Sequence, residues 1–287
     1  MTKGVTKVKR LKSLKVKKLT FIICVTFVTF IACVTFKTFF VYADDWKEEK
    51  GDHFIVYYQG DQKFPKDVSR QSEVYYNQIA NDIGYPRYSN FWQWDNRVKI
   101  YVYPSKTEFQ KASNQPEWSN GMADYTAKRI LTYSWSKGFL DGLLPHEITH
   151  LVFRDFVGFK GQVPLWIDEG VAQWEEPKKR AMAGAAAYYL IQQQKVIPVG
   201  DLTVMNNLRN KSDEEVQSFY MQSVSLIDYL IKNYGAQSFT ALCRQLRDGK
   251  KLNEALSFSY STVIKDIDQL QDKWMRSVME EFRPKAE

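Results

Sequence analysis

Three short segments in the first half of the chain have the side-chain pattern of β-strands. RVKIYVYPS, residues 97–105, alternates between apolar and polar positions and stops at Pro104, as a half-buried strand does. HFIVYYQ, residues 53–59, is rich in β-branched and aromatic side chains and predicts a second strand. KRILTYSW, residues 128–135, predicts a third. The first half of the chain therefore contains the strands of a small sheet.

Helical patterns separate these strands and then dominate the rest of the chain. KDVSRQSEVYYNQIANDIG predicts a helix that Gly84 ends, and TEFQKAS predicts a short one. From Phe139 onward the patterns are mainly helical. The predicted fold is therefore α+β, with a small twisted mixed sheet packed on helices and followed by a mainly helical lobe. The folded part is predicted to span residues 44–287, with an α/β part at 44–157 and a helical part at 158–287.

The N-terminus is typical of an exported protein. Residues 1–43 contain nine Lys and Arg and no acidic residue, and Leu19 to Phe36 is an uncharged run of 18 residues. Val41-Tyr42-Ala43 fits a signal-peptidase site, so residues 1–43 are either a cleaved signal peptide or an uncleaved membrane anchor. Both alternatives place the folded domain outside the cytoplasm, secreted or anchored to the membrane by residues 19–42.

The basic net charge of +7 comes from this segment. The rest of the chain is nearly neutral, without a basic stripe interleaved with aromatics that would suggest nucleic-acid binding. Only Cys243 remains beyond the apolar run, so the domain has no internal disulfide and must be stabilised by its own core. Nucleic acid is therefore not an expected partner, whereas a membrane is a possible one.

HEITH, residues 146–150, is the strongest candidate for chemistry. His146 and His150 are four residues apart, so on a helix they share one face. A separate apolar stripe on that helix consists of Leu144, Ile148, Leu151 and Val152. Pro145 is tolerable if the helix begins only a few residues earlier, with Asp141 as a candidate cap. A catalytic zinc also needs a third protein ligand and an open position for water.

The segment WIDEG supplies the third candidate ligand. Glu169 follows His150 after 18 intervening residues, and the loop GFKGQVP between them lets the chain turn back. HEITH, 18 residues and WIDEG together resemble the gluzincin metallopeptidases of the thermolysin and aminopeptidase-N type. The resemblance extends more loosely from His53 to Phe282 and is greatest to compact peptidase-MA-like domains.

The resemblance implies one Zn²⁺ per chain on His146, His150 and Glu169, with a peptide or protein as the substrate. Zinc lowers the pKa of a bound water, and Glu147 would take the proton of that water and pass it to the leaving amine. Thermolysin-like enzymes also use a His or Tyr as oxyanion donor, which here implies Tyr220. A core role for Tyr220 remains open, because it lies on an apolar stripe with Val224, Ile227 and Ile231.

The groups that would orient the zinc-bound imidazoles are less clear from the sequence. Thermolysin-like sites have an Asp four residues after the Glu ligand, but this chain has Gln173 there. Its amide oxygen could accept a hydrogen bond from an imidazole, more weakly than a carboxylate. Asp155 and Asp168 are the other candidates nearby.

One departure from the family narrows the expected activity. Aminopeptidases of the family carry G-x-M-E-N before the zinc helix, but GMADYTAK has no such Glu. The strand at residues 129–134 is instead predicted to be the exposed edge to which an extended peptide adds. The predicted substrate-binding residues on it are Arg129, Ile130, Leu131 and Thr132. The expected function is an endopeptidase; the alternatives are an inactive exported envelope or binding domain on the same fold, and a zinc hydrolase of another substrate.

Overall fold

The computed structural model describes residues 46–84, 92–115, 117, 119–158 and 163–283. The predicted signal peptide or anchor, residues 1–43, lies outside these ranges. Within them, no helix combines the length and the apolar character needed to cross a membrane. The chain from Trp46 onward forms one compact unit.

Five strands form one mixed sheet. They are β1 (Lys47–Lys50), β2 (Phe54–Tyr58), β3 (Val98–Tyr103), β4 (Gly121–Asp124) and β5 (Arg129–Tyr133). The order across the sheet is β1-β2-β3-β5-β4. The three predicted strands correspond to β2, β3 and β5, which run parallel to one another at the centre. The unpredicted β1 and β4 are antiparallel to their neighbours and form the two edges.

This strand order corrects the predicted substrate-binding edge. β5 lies between β3 and β4, so its backbone is paired on both sides, and the edge strand is β4. The prediction named Arg129, Ile130, Leu131 and Thr132. Ile130, Leu131 and Thr132 are buried, and the Thr132 hydroxyl donates to the Asn120 carbonyl at 2.9 Å. Arg129 forms an ion pair with Asp124 of β4 at 3.0 Å.

Nine helices account for most of the remaining described residues. They are α1 (Lys63–Asp82), α2 (Lys106–Ser113), α3 (Leu144–Val157), α4 (Leu165–Trp174), α5 (Pro177–Gln192), α6 (Val199–Val204), α7 (Asp213–Arg247), α8 (Leu252–Ser259) and α9 (Ile267–Glu281). The described strands all precede residue 134, and helices follow them. The α+β prediction with a mainly helical second part is therefore confirmed.

The helix that carries HEITH is α3. A π-helical turn, Phe139–Leu143, leads directly into it, and Pro145 lies in its first turn. The first positions of an α-helix tolerate proline's fixed φ and missing N–H, so Pro145 does not break α3. Asp141 lies inside the π-helical turn and no side chain caps α3, so the predicted Asp141 cap is wrong. The apolar stripe of α3 is buried as predicted.

Helices α4 and α7 approach each other closely at Gly170. A Cβ on Gly170 would lie 2.7 Å from the carbonyl oxygen of Ser223 and 2.8 Å from Cγ1 of Ile227. Only glycine permits this separation, because any other side chain would overlap the backbone of α7. The contact holds Glu169, the preceding residue of α4, beside the half of α7 that carries Tyr220.

Candidate active site

The three predicted ligands converge between α3 and α4. Nε2 of His146 lies 3.1 Å from Nε2 of His150, as expected for side chains one helical turn apart. Oε2 of Glu169, from α4, lies 3.7 Å from the first of these nitrogens and 3.8 Å from the second. The three donor atoms thus form a compact triangle, and they are the one His/Cys/Asp/Glu group within the described chain that could hold a metal ion.

The dimensions of this triangle fit a zinc ion. Zinc bonds of about 2.0–2.1 Å meeting at tetrahedral angles hold two ligand atoms about 3.3 Å apart. The three separations differ from this value by at most about half an ångström, which small side-chain rotations absorb. Two imidazoles and one carboxylate are also the donor set of known catalytic zinc sites, which leave the fourth position to water or substrate.

Each imidazole is oriented by a carboxylate on its far side. Nδ1 of His146 lies 2.9 Å from Oε1 of Glu176, and Nδ1 of His150 lies 3.2 Å from Oδ1 of Asp168. An ionised carboxylate only accepts hydrogen bonds, so both Nδ1 atoms must donate. In neutral imidazoles the two Nε2 atoms then carry lone pairs, which point at each other and at Glu169. Only a positive charge, from a metal ion or a proton, satisfies three such atoms.

The pKa shifts of the buried pair His150 and Asp168 agree with a site that binds a cation. Burial alone would lower the pKa of His150, but Asp168, Glu169 and Glu147 raise it to about 9 in the metal-free chain. Burial conversely favours a higher pKa for Asp168, whereas His150 and Arg154 hold that pKa below its usual value. Arg154 donates to Oδ2 of Asp168 from one turn beyond His150. Asp168 is therefore ionised and fixed between two donors.

The partner of His146 was missed by the sequence analysis. Glu176 lies seven residues after Glu169, beyond the end of α4, and reaches His146 because the chain turns there into α5. Gln173, the predicted alternative, lies buried in the cleft wall, and neither imidazole bonds to it. Of the other two candidates, Asp168 does bond to an imidazole. Asp155 instead accepts from Trp92 and Lys128.

The triangle opens into a cleft of about 590 Å³. The edge strand β4 forms one side of this cleft, and residues of α3, α4 and α7 form the others. Glu147 lines it next to His146 and is 9% exposed, so its carboxylate faces the cleft from an otherwise buried position. The arrangement combines three potential metal ligands, His146, His150 and Glu169, called the metal triangle below, with an adjacent carboxylate and an open strand edge.

A family model of the peptidase MA superfamily matches residues 91–280, which is most of the folded part of the chain. The chain belongs to the peptidase MA superfamily. The match includes HEITH, WIDEG and Tyr220, and it confirms the resemblance to gluzincin metallopeptidases. A search of curated proteins finds no match to this chain. Membership establishes a metallopeptidase-like domain.

Two tyrosines face the metal triangle of this peptidase MA domain. Tyr220 is half-buried against Phe219, with ring centroids 5.5 Å apart, and it also lines the cleft. Burial, together with Glu169 and Glu147, raises the pKa of Tyr220 to about 12, so its hydroxyl stays protonated and can donate. The position of Tyr220 is compatible with both roles considered from the sequence. Its ring packs against the core, and its hydroxyl lies near the carboxylates of the cleft.

Tyr125, the second tyrosine, was not predicted. It lies in the turn between β4 and β5, and its ring meets that of His150 edge-on at 5.8 Å. Although 37% of its surface is exposed, partial burial, followed by the charges of Glu147 and Asp168, raises its pKa above the usual value. No local pattern marks this tyrosine, because its position depends on how the β4–β5 turn packs against α3.

Proposed function

We propose that this protein is an exported zinc-dependent peptidase, more specifically an endopeptidase. The observation that carries the proposal is the triangle of His146 Nε2, His150 Nε2 and Glu169 Oε2, with Glu147 beside it in an open cleft. All residue types that zinc-assisted hydrolysis requires are present, and each ligand imidazole has a carboxylate that orients it. An inactive domain would not need this complete set.

The proposed mechanism assigns one task to each cleft residue. Zinc on the triangle would act as a Lewis acid and make a water nucleophilic at neutral pH. Glu147 accepts the proton of that water as it attacks the peptide carbonyl and then delivers the proton to the leaving amine. Tyr220 donates a hydrogen bond to the carbonyl oxygen as negative charge develops there. Glu176 and Asp168 keep the imidazoles aligned throughout.

The edge strand β4 is the proposed binding site for the substrate backbone. β4 pairs with β5 on one side only, and Asn120 to Ala123 line the cleft, so an extended peptide can add as a further strand. The single acid of β4, Asp124, already accepts from Arg129 and from the backbone N–H of Ala127. It is therefore not free to hold a substrate amine, which supports an endopeptidase over an aminopeptidase.

The zinc assignment is tested by metal content and hydrolysis measured on the same preparations. The purified domain should contain one zinc per chain, lose peptide cleavage with a chelator and regain it with Zn²⁺. His146→Ala and Glu169→Ala should lose the metal, because two remaining ligands hold zinc poorly. Unchanged zinc content in both variants would refute the assignment.

The role of Glu147 requires a variant that keeps the metal. Glu147→Gln should retain zinc and lose at least about 10²-fold in hydrolysis, because an amide cannot accept the proton. Glu108→Gln is the matched control, since Glu108 is exposed on α2, outside the cleft. Hydrolysis by Glu147→Gln at the rate of this control would show that another group is the base.

Export is the remaining part of the proposal and rests on the charge pattern of residues 1–43. A reporter fused after residue 50 should appear outside the cytoplasm. N-terminal sequencing that begins at Asp44 would indicate cleavage, and a membrane-held reporter that keeps residues 1–43 would indicate an anchor. A soluble cytoplasmic reporter would contradict both.

A further inference from the structure

The cleft has two chemically different ends along β4. At the Gly121 end, a Cβ on that glycine would touch Leu143 and Phe139 of the π-helical turn, and Lys137 and Gly138 precede that turn. At the other end, Tyr125 follows Asp124 and meets the ring of His150. A peptide lying along β4 would therefore pass from the surroundings of Lys137, across the metal triangle, to Tyr125.

Two lysines line the cleft, and both lie toward the His146 side. Lys179, in the first turn of α5, donates to Oε1 of Glu176 at 2.8 Å, and the same oxygen accepts from Nδ1 of His146. Lys137 reaches the cleft from the segment after β5. Among the described residues, no carboxylate lies within ion-pair distance of Lys137. The ammonium group of Lys137 is therefore available to a ligand.

Of the two ammonium groups at this end, that of Lys179 is already paired with the Glu176 carboxylate, whereas that of Lys137 has no carboxylate partner among the described residues. Glu169 belongs to the metal triangle and Glu147 lies next to it. Glu176 is held by His146 and Lys179 together. A bound divalent cation would add further positive charge beside the lysines, and the walls of a cleft concentrate such a field. The Lys137 end thus attracts negative charge once the metal is in place.

We propose that this end of the cleft is a subsite for a substrate carboxylate, bound by the unpaired ammonium group of Lys137. The inference rests on the proposed peptidase function and names its substrate class: peptides with an acidic group within a few residues of the scissile bond, on the side toward His146. The carboxylate is either an Asp or Glu side chain or the free C-terminus of a peptide. Both present the same anionic group to the ammonium group of Lys137.

The test compares peptides that differ only in one carboxylate. The first arm uses peptides blocked at both ends that carry Glu or Gln at each position around the cleaved bond. The second arm uses a neutral peptide with a free or an amidated C-terminus. In one of the arms we expect about two- to fivefold higher kcat/KM for the acidic member, the range of one partly exposed ion pair. The preference should shrink when ionic strength rises from about 0.05 M to about 0.5 M.

Charge reversal at Lys137 identifies the residue responsible. Lys137→Glu should turn the preference for the acidic peptide into a preference for the neutral one. The matched control is Lys111→Glu, because Lys111 is exposed on α2 and does not line the cleft; this variant should keep the wild-type preference. Circular dichroism and zinc content of both variants report folding independently of activity.

Equal kcat/KM for acidic and neutral peptides in both arms, or an acidic preference that survives Lys137→Glu, would overturn the subsite. In either case cleavage of the neutral peptides by the wild-type protein would leave the peptidase proposal intact. If no peptide were cleaved while zinc was bound, the proposed function itself would fail.

Discussion

Removal of the Glu176 carboxylate should weaken zinc binding although Glu176 is not one of the three proposed ligands. Its Oε1 accepts from His146 Nδ1 at 2.9 Å, and its side chain is only 10% exposed, so water cannot readily replace it. A group that orients a metal-bound imidazole typically contributes about 10- to 100-fold in metal affinity. That range corresponds to about 1.4–2.7 kcal/mol, which matches the roughly 1.5–3 kcal/mol of a hydrogen bond to a charged group.

The two substitutions at this position should differ in a predictable way. Glu176→Gln keeps an oxygen that can accept from Nδ1 but removes the charge, so a loss near the lower end, about tenfold, is expected. Glu176→Ala removes the acceptor as well and should approach about 100-fold. Lys179 loses its partner in both variants, but it is 47% exposed and stays hydrated. The difference between the variants therefore reports on the imidazole.

Zinc dissociation constants from competition with a chromogenic chelator measure both effects. Glu175→Gln is the control, because Glu175 is the neighbouring residue and its Oε2 accepts from Gln78 at 3.2 Å, away from His146. Burial raises the pKa of Glu175 to about 8, so at pH 7 it is mostly protonated and closely mimicked by glutamine. Zinc affinity of Glu176→Ala within twofold of wild type would refute the argument. Equal losses in Glu175→Gln and Glu176→Gln would assign the effect to the α4–α5 junction instead.

Three further predictions concern the hydroxyl of Tyr220, the helix contact at Gly170 and the buried acid Glu175. Tyr220→Phe keeps the packed ring and should lower kcat by about 10²–10³-fold with unchanged zinc content; stopped assays that find a rate within threefold of wild type would return Tyr220 to the core. Gly170→Ala should destabilise the fold by about 1–2 kcal/mol in urea unfolding. The cost of overlap between the new Cβ and Ser223 exceeds the helix-propensity gain of about 1 kcal/mol from alanine. A stabilised variant would contradict the close contact. For Glu175, burial and then Asp82 raise the folded-state pKa, so the folded chain holds this proton more tightly than the unfolded chain. The free energy of unfolding of the wild-type protein should therefore fall as pH rises from about 4.5 to 8, by at most about 1.4 kcal/mol per pH unit from this group. Glu175→Gln should remove that part of the slope. Parallel profiles of unfolding free energy against pH for the two proteins would contradict the prediction.

The metal triangle could be predicted from the sequence because helices are local structures. Residues four apart share a helix face, so His146 and His150 converge as soon as the chain around them is helical. Glu169 required the family pattern of 18 residues and WIDEG, since spacing alone does not say how a second helix returns. Gly170 belongs to the same pattern. Only the structure shows why a glycine is needed there: a Cβ at this position would lie 2.7 Å from the Ser223 carbonyl oxygen of α7.

The substrate-binding edge was wrongly predicted because strand order is a long-range property. The strand at residues 129–133 has a strong local pattern and was expected to be the edge, whereas GMAD has four residues and little pattern of its own. β4 nevertheless covers β5 by antiparallel pairing across a short turn. Local side-chain patterns predict that a strand exists, but they do not specify which neighbours it pairs with.

The sequence by itself therefore determined the α+β class, the three central strands, the HEITH helix and the three residues of the metal triangle. The strands and the HEITH helix follow from periodicity within short stretches of chain, whereas Glu169 was assigned through the resemblance to the gluzincin pattern. Only the tertiary structure decided that Glu176 orients His146, that Tyr125 meets His150 and that β4 forms the open edge. Those contacts join residues from different elements, and their distances depend on how α3, α4, α5 and the β4–β5 turn pack together, which no local periodicity records.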